Sequence, residues 1–277
     1  MVNRCGVRHR IGPWAGATVT TESGPVTRAL LGIARDGNGA NDHELATRIC
    51  RACVAGSSAD GAAMSVLTAS VHRETLSATD PTAAALEDLQ FTLGEGACLE
   101  AATSGRPVLV PDLHDHPSTV RWPVFAAAVA EQTTVRALFA LPLKLGTVNV
   151  GVLDLYRNTP GPLQGQELRD MSAAVDASTL LLLGAQIRGD AATGSHHRED
   201  GNSAVDGHLP DRAWEDGLWT DRADVHQATG MVLVQLGIPA QDAFVRLRAY
   251  AFAQQRPLSE VARDVVARRL VFTHDMD

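Results

Sequence analysis

Apolar residues in the first part of the chain recur at two spacings, one typical of helices and one typical of strands. Leu45, Ile49 and Cys53 follow one another at intervals of four residues, which predicts a helix over 41–56 with one face on a core. A backbone bend is expected at Gly94. The rest of this region predicts strands at 62–69, 73–78 and 106–111, and helices at 81–89, 97–103 and 123–132.

The longest apolar segments come next and predict a β-hairpin. Residues 135–145 and 148–157 are strand-like, and Gly146-Thr147 between them suits a tight connection. Strands that alternate with helices and end in a hairpin fit an α+β domain built on an antiparallel sheet. We expect this domain over residues 28–162, after a flexible tail at 1–27 that shows no sustained periodicity.

A long helical segment and a polar linker follow. Residues 163–188 carry apolar side chains close to a heptad spacing, at Leu168, Met171, Val175 and Leu182. This seam is shallow, so the sequence leaves two uses open, a weak coiled-coil dimer or packing on the sheet. Residues 189–208 are rich in Gly, Asp and His and hold few large apolar side chains, which predicts a flexible linker.

The C-terminal segment has the pattern of three short amphipathic helices. The first is predicted to begin near Asp221, with Thr220 as its N-cap, and to end at Gly237. Pro239 and Pro257 suit the starts of the second and third helices, where no amide donor is needed. A unit this small buries little surface alone, so we expect it to pack on a partner copy or on another domain.

Composition and charge narrow the function. The chain has 277 residues, a formal net charge of −8 and 45% hydrophobic residues, which is ordinary for a globular protein. It has no apolar run of membrane-spanning length and no signal-peptide pattern at its start, so we predict a cytoplasmic protein with no membrane partner. Residues 243–270 hold six arginines against Glu260 and Asp264, a local balance of +4. Arginine suits contact with phosphates and bases, although solvated helix faces also carry it.

Residues 209–272 also resemble a known family. The matching positions are Arg222, the run 225–231 (Val-His-Gln-Ala-Thr-Gly-Met), Ala243-Phe244, Leu247-Arg248 and 256–262. They are similar to the ANTAR domain, the three-helix RNA-binding module of bacterial transcription antiterminators. The family commonly has lysine where this chain has Thr229. The resemblance implies contact with structured RNA, the hairpins of nascent transcripts, and we assign that contact to Arg222, Gln227, Thr229, Arg248, Arg256 and Arg263.

The earlier motifs resemble a GAF domain. They are Gly94-Glu95-Gly96-Ala97-Cys98, 105–108, 110–112, Arg121-Trp122-Pro123-Val124-Phe125 and the two hairpin strands. Taken together, the two sets of motifs resemble actinobacterial GAF–ANTAR regulators, in which a sensor domain controls an RNA-binding domain. They imply an unknown small-molecule ligand of the GAF domain, for which we predict Cys98, Trp122 and Phe125 as pocket residues. The other reading is that these aromatic rings cap the core.

Catalytic chemistry finds little support in the sequence. Cys50 and Cys53 form a lone C-x-x-C within a helix, and His114 with His116 lacks a third ligand at a recognisable spacing. Cys98 has no neighbouring cysteine to resolve a nucleophilic cycle, so a buried structural thiol is favoured. We predict no enzyme activity, cofactor or metal. The function predicted is an RNA-binding transcription antitermination regulator, with a homodimer expected; the alternative is a ligand-binding or protein-interaction regulator whose bundle no longer binds RNA.

Overall fold

The structure is a computed structural model that describes residues 23–36, 41–67, 73–193, 213–254 and 256–273. The predicted tail and much of the predicted linker lie outside these residues. Where the predicted tail and the predicted linker overlap the described residues, both segments were predicted to be too long. Helix begins at Pro25 rather than after residue 27, and the connecting helix continues to Thr193 rather than ending at 188.

A five-stranded sheet forms the centre of the N-terminal domain. Its strands are β1 (Gly61–Leu67), β2 (Arg73–Ala78), β3 (Val108–Val110), β4 (Ala137–Leu145) and β5 (Val148–Arg157). The order across the sheet is β2-β1-β5-β4-β3, and every neighbouring pair is antiparallel. The predicted α+β class and the predicted hairpin are therefore confirmed. Gly146 turns between β4 and β5 with φ of 61°, a conformation that glycine adopts without steric cost.

Ten helices are described. They are α1 (Pro25–Asp36), α2 (Asp42–Ala55), α3 (Pro81–Leu93), α4 (Ala97–Ser104), α5 (His116–Arg121), α6 (Pro123–Gln132), α7 (Gly165–Thr193), α8 (Ala213–Leu236), α9 (Ala240–Ala253) and α10 (Leu258–Val266). None of the described helices is both long and apolar enough to cross a membrane.

Helices α1, α2 and α7 cover one face of the sheet. The α7 seam packs here, because Met171, Val175 and Leu182 are buried in the same core as Phe139 of β4. The sequence left open whether this seam forms a weak coiled-coil dimer or packs on the sheet, and in the structure it packs on the sheet. The α7 carboxylate of Asp170 also accepts hydrogen bonds from the first amides of α1. Such a cap satisfies donors that the helix itself cannot.

Helices α3 to α6 cover the other face and form a second core. Asp80 caps α3 by accepting from the amides of Thr82 and Ala83, and Gly94 ends it in the left-handed conformation with φ of 69°. Helix α3 thereby runs four residues beyond its predicted end. Residues 116–121, for which no helix was predicted, form α5, whose N-cap is Asp115. These helices bring the side chains of α3 and α4 over the middle of the sheet.

Helices α8 to α10 form the C-terminal bundle. Gly237 ends α8 as predicted, with φ of 62°. The predicted start is wrong, because α8 begins at Ala213 and Thr220 lies inside it, where it cannot act as an N-cap. Helices α9 and α10 begin directly after Pro239 and Pro257, as predicted, and the two prolines occupy the N-cap positions.

Candidate functional site

The C-terminal bundle packs against α3 of the N-terminal domain through one aromatic residue. Phe91 is 6% exposed and belongs to the hydrophobic core of the bundle. Its ring centroid lies 5.2 Å from that of Phe244 on α9 and 6.2 Å from that of His226 on α8. Aromatic rings at such separations attract each other in tilted and edge-to-face arrangements. Phe91 was not predicted as a site residue, since nothing local distinguishes it from a core aromatic.

A cleft of about 900 Å³ lies beside this contact. Its walls come from both domains and comprise Thr92, Leu93, Val124, Val245, Arg248, Ala249, Ala251, Phe252, Ala253, Arg256 and Pro257. The volume is within the range of small-molecule sites, which often form at domain boundaries. The walls are mainly apolar, with two guanidinium groups among them.

Arg248 is half-buried where the two domains meet and is not fully open to solvent. Its guanidinium carbon lies 5.2 Å from the ring centroid of Phe244. A Cβ atom added at Gly94 would collide with the same guanidinium, so the glycine admits this close approach. Burial lowers the pKa of Arg248. No carboxylate lies within ion-pair distance of Arg248 among the described residues, which leaves its charge without a direct partner there.

The other predicted RNA contacts occupy different environments. Arg263 and Gln227 are exposed, and the Arg263 Nε donates to the Ser259 carbonyl at 3.3 Å. Arg256 is ion-paired, with its Nη2 at 2.6 Å from Asp264 Oδ2. The Arg256 guanidinium, together with Arg269, holds the pKa of the Asp264 carboxyl below its usual range. The side chain of Arg222 lies outside the described part of the structure.

The prediction that Thr229 faces RNA is contradicted. Thr229 is 2% exposed, and its Oγ1 donates to the Val225 carbonyl at 2.7 Å. It shares the buried face of α8 with Val225, one turn before it, and with Val232 and Leu236, which follow at helical spacing. Residue 229 is therefore part of the bundle interior, and a threonine there does not remove a cation from an exposed surface.

The predicted ligand-pocket residues lie in the core between the sheet and helices α3 to α6. Cys98 and Phe125 are fully buried and Trp122 is 6% exposed. The Trp122 and Phe125 rings meet edge to face at 6.5 Å, and the Arg121 guanidinium lies over Trp122. This arrangement matches the reading in which both aromatics cap the core. A cavity of about 10 Å³ in the same layer is lined by Glu87 and Asp154, residues that the sequence reasoning missed.

Comparison with known families defines the class of each half. Residues 40–176 match the family model of the GAF domain. Residues 219–266 match the family model of the ANTAR domain. The chain thus contains a GAF domain followed by an ANTAR domain, both of them regulatory rather than catalytic. This combination is that of a regulator with a sensor domain.

Several solved structures are similar to the N-terminal part of the chain. A GAF domain of a Coxiella burnetii phosphoenolpyruvate-protein phosphotransferase is 14% identical with a TM-score of 0.45, covering 60% of this chain and 97% of that one. The corresponding Acinetobacter domain is 11% identical with a TM-score of 0.44, covering 60% and 95%. Free methionine-R-sulfoxide reductase from Neisseria meningitidis is 13% identical with a TM-score of 0.41, covering 59% and 89%. Among curated proteins, no significant match was found.

Proposed function

We propose that this protein is an RNA-binding transcription antitermination regulator whose GAF domain controls the access of RNA hairpins to the ANTAR bundle. The ANTAR match supports the RNA partner, because this module resembles the RNA-binding half of antiterminators. The observation that carries the control is the packing of Phe91 from the GAF helix α3 into the core of the bundle. A sensor domain that shares a buried contact with the output domain has a direct means of restraining it.

Helix α3 is the element through which the signal would pass. Its Glu87 and Gln90 are buried on the sheet side, whereas Phe91 packs on the bundle. A ligand that binds inside the GAF domain and shifts or rotates α3 would therefore also move Phe91. Such coupling requires the ligand to prefer one of the two positions of α3, because binding shifts an equilibrium only by its differential affinity.

Arginine exposure is the property that this movement would change. Arg248 is half-buried against Gly94 and Phe244 while the domains are in contact. Separation of the bundle from α3 would expose this guanidinium, together with the other cleft residues of α9. Arg263 is exposed in either case. We therefore assign first contact with RNA to Arg263, and a second contact, available only after release, to Arg248.

The alternative function also has a specific observation in its favour. Arg256 is already paired with Asp264, and Arg248 is occluded, so two of the predicted cations are engaged within the protein. A bundle whose arginines serve packing would suit a regulator that binds a small molecule or a protein and not RNA. Surface ion pairs contribute only about 0–1 kcal/mol, so the Arg256 pair by itself does not prevent RNA contact.

Binding of the full-length chain to hairpin RNA distinguishes the two functions. Hairpins selected from a library with randomised loops are titrated with wild type, Arg263→Ala and Phe91→Ala over a range of salt. We expect Arg263→Ala to weaken binding and to reduce the salt slope by roughly one counterion, and Phe91→Ala to strengthen binding. Arg169→Ala on α7, where Arg169 bonds only to Gln166 among the described contacts, is the matched control and leaves binding unchanged. Selection of no hairpin by wild type or by Phe91→Ala would favour the alternative function.

The active form proposed is a cytoplasmic homodimer. Since the α7 seam packs on the sheet, the dimer would use another surface. Four large apolar residues of the bundle are exposed among the described residues, and two of them stand out. Val234 is 77% exposed and Phe252 is 70% exposed. Sedimentation velocity of the wild type against Val234→Glu tests this surface; a monomer at high micromolar concentration for both proteins, with and without RNA, would refute it.

A further inference from the structure

A buried polar cluster lies between the sheet and helices α3 and α4 of the GAF domain. Glu87 on α3 is 1% exposed, Cys98 at the start of α4 is 0% exposed and Asp154 on β5 is 5% exposed. A carboxylate oxygen from each acid and the sulfur of Cys98 all lie within 4.8 Å of one another. The three residues come from three separate elements, so the tertiary fold alone brings them together.

Polar neighbours surround these three side chains. The Thr75 hydroxyl donates to Glu87 Oε2 at 3.0 Å, and the Ser65 hydroxyl lies 3.7 Å from the Cys98 sulfur. Gln90, one turn after Glu87, is fully buried and accepts from the Cys98 amide with its Oε1 at 2.8 Å. Its Nε2 donates to no atom in the described part of the chain. A buried amide donor of this kind calls for an acceptor.

The arrangement favours a cation between the two carboxyl groups. A positive charge placed there stabilises the ionised form of both acids, which lie close together inside an apolar layer. The adjacent cavity of about 10 Å³, lined by Glu87, Asp154 and Tyr156, is just large enough for one water molecule. It admits a single metal-bound water but no organic ligand.

We propose that Glu87, Cys98 and Asp154 bind one divalent transition-metal ion with the ligand preferences of Zn²⁺. Carboxylate oxygens and a cysteine sulfur are all zinc ligands, and a thiolate disfavours Mg²⁺ and Ca²⁺. Two ligands at about 2.0–2.3 Å from one ion are at most about 4.6 Å apart, so the observed separation closes with small side-chain rotations. The Cys98 thiol proton passes to solvent on binding, and a water completes the site by accepting from Gln90 Nε2.

Metal content and a cobalt spectrum test this site in the full-length chain. The protein is produced in minimal medium supplied with Zn²⁺ or Co²⁺, dialysed, and analysed for metal per chain. We expect one ion per chain and, for the cobalt form, the near-ultraviolet charge-transfer band of a thiolate–cobalt bond. Cys98→Ser abolishes the band, and Asp154→Asn, which preserves side-chain shape, lowers metal affinity roughly tenfold or more. Cys50→Ser is the matched control, because Cys50 is equally buried but lies on the opposite face of the sheet.

Three results would overturn the proposal. Wild type without bound metal and without a charge-transfer band would mean that the three side chains do not form a metal site. A band that persists in Cys98→Ser, or that disappears in Cys50→Ser, would mean that another thiol binds the ion. The wild-type spectrum decides the first question by itself, whether or not a variant folds. None of these measurements involves RNA, so they stand apart from the test of the proposed function.

Discussion

Replacement of Phe91 by alanine should separate the ANTAR bundle from the GAF domain while both remain folded. Phe91 lies on the GAF helix α3, but its ring is buried in the core of the bundle beside Phe244 and His226. Truncation to alanine therefore removes contacts between the domains and few within the GAF domain. The change should appear as a loss of docking energy rather than as unfolding.

The size of the effect follows from the burial of the ring. Full burial of a phenylalanine side chain contributes about 1.5–3 kcal/mol, and aromatic pairs add about 0.5–1.5 kcal/mol. Because the two domains can move apart instead of leaving a cavity, no additional cavity cost is expected. A loss of about 2–4 kcal/mol corresponds to a roughly 30- to 700-fold decrease in the docking equilibrium constant.

Hydrogen exchange of the full-length chain measures this loss. In Phe91→Ala, amides of α9 and of the last turn of α3 should exchange faster than in wild type, while β4 and β5 keep their protection. Leu180→Ala is the control, since Leu180 is a large apolar residue of α7 that is 64% exposed. Unchanged exchange in α9 would refute docking through Phe91, and faster exchange in β4 and β5 would show that Phe91 supports the GAF core instead.

Three further predictions concern single residues and the linker. Thr229→Lys should lower the stability of the bundle by about 2–3 kcal/mol in chemical denaturation, because it places a charge at a site that is 2% exposed; an unchanged midpoint would show that position 229 opens to solvent. Burial raises the pKa of the Cys53 thiol from 9.0 to about 12, so the folded chain holds this proton more tightly than the unfolded chain. The resulting stability is complete below pH 9 and decreases by about 1.4 kcal/mol per pH unit as the pH rises toward 12. Unfolding of Cys53→Ala between pH 8 and pH 11 should depend less on pH than that of wild type, and parallel curves would contradict this. Limited proteolysis should cut first within 194–207, as the composition of that segment predicts, leaving a GAF fragment and a smaller helical one; a first cut within 135–156 would show that the domain division is wrong.

Local patterns in the sequence predicted most of the architecture. The hairpin of β4 and β5 follows from two apolar segments around Gly146, and the end of α8 follows from Gly237, because turn chemistry depends on neighbouring residues. The start of α8 was not predicted correctly, since Thr220 is a good N-cap by type but lies within a helix that begins earlier. A residue acts as an N-cap only where the residues before it are not helical.

Contacts between distant residues were decided by the tertiary structure alone. The sequence predicted Thr229 and Arg248 as RNA contacts from their family positions, but packing of α8 and α9 buries the first and places the second against Gly94. It predicted no metal site, because Glu87 and Asp154 are widely separated along the chain and match no ligand spacing. The periodicity of a helix or strand indicates which of its faces is apolar. Which other element covers that face depends on how the elements pack.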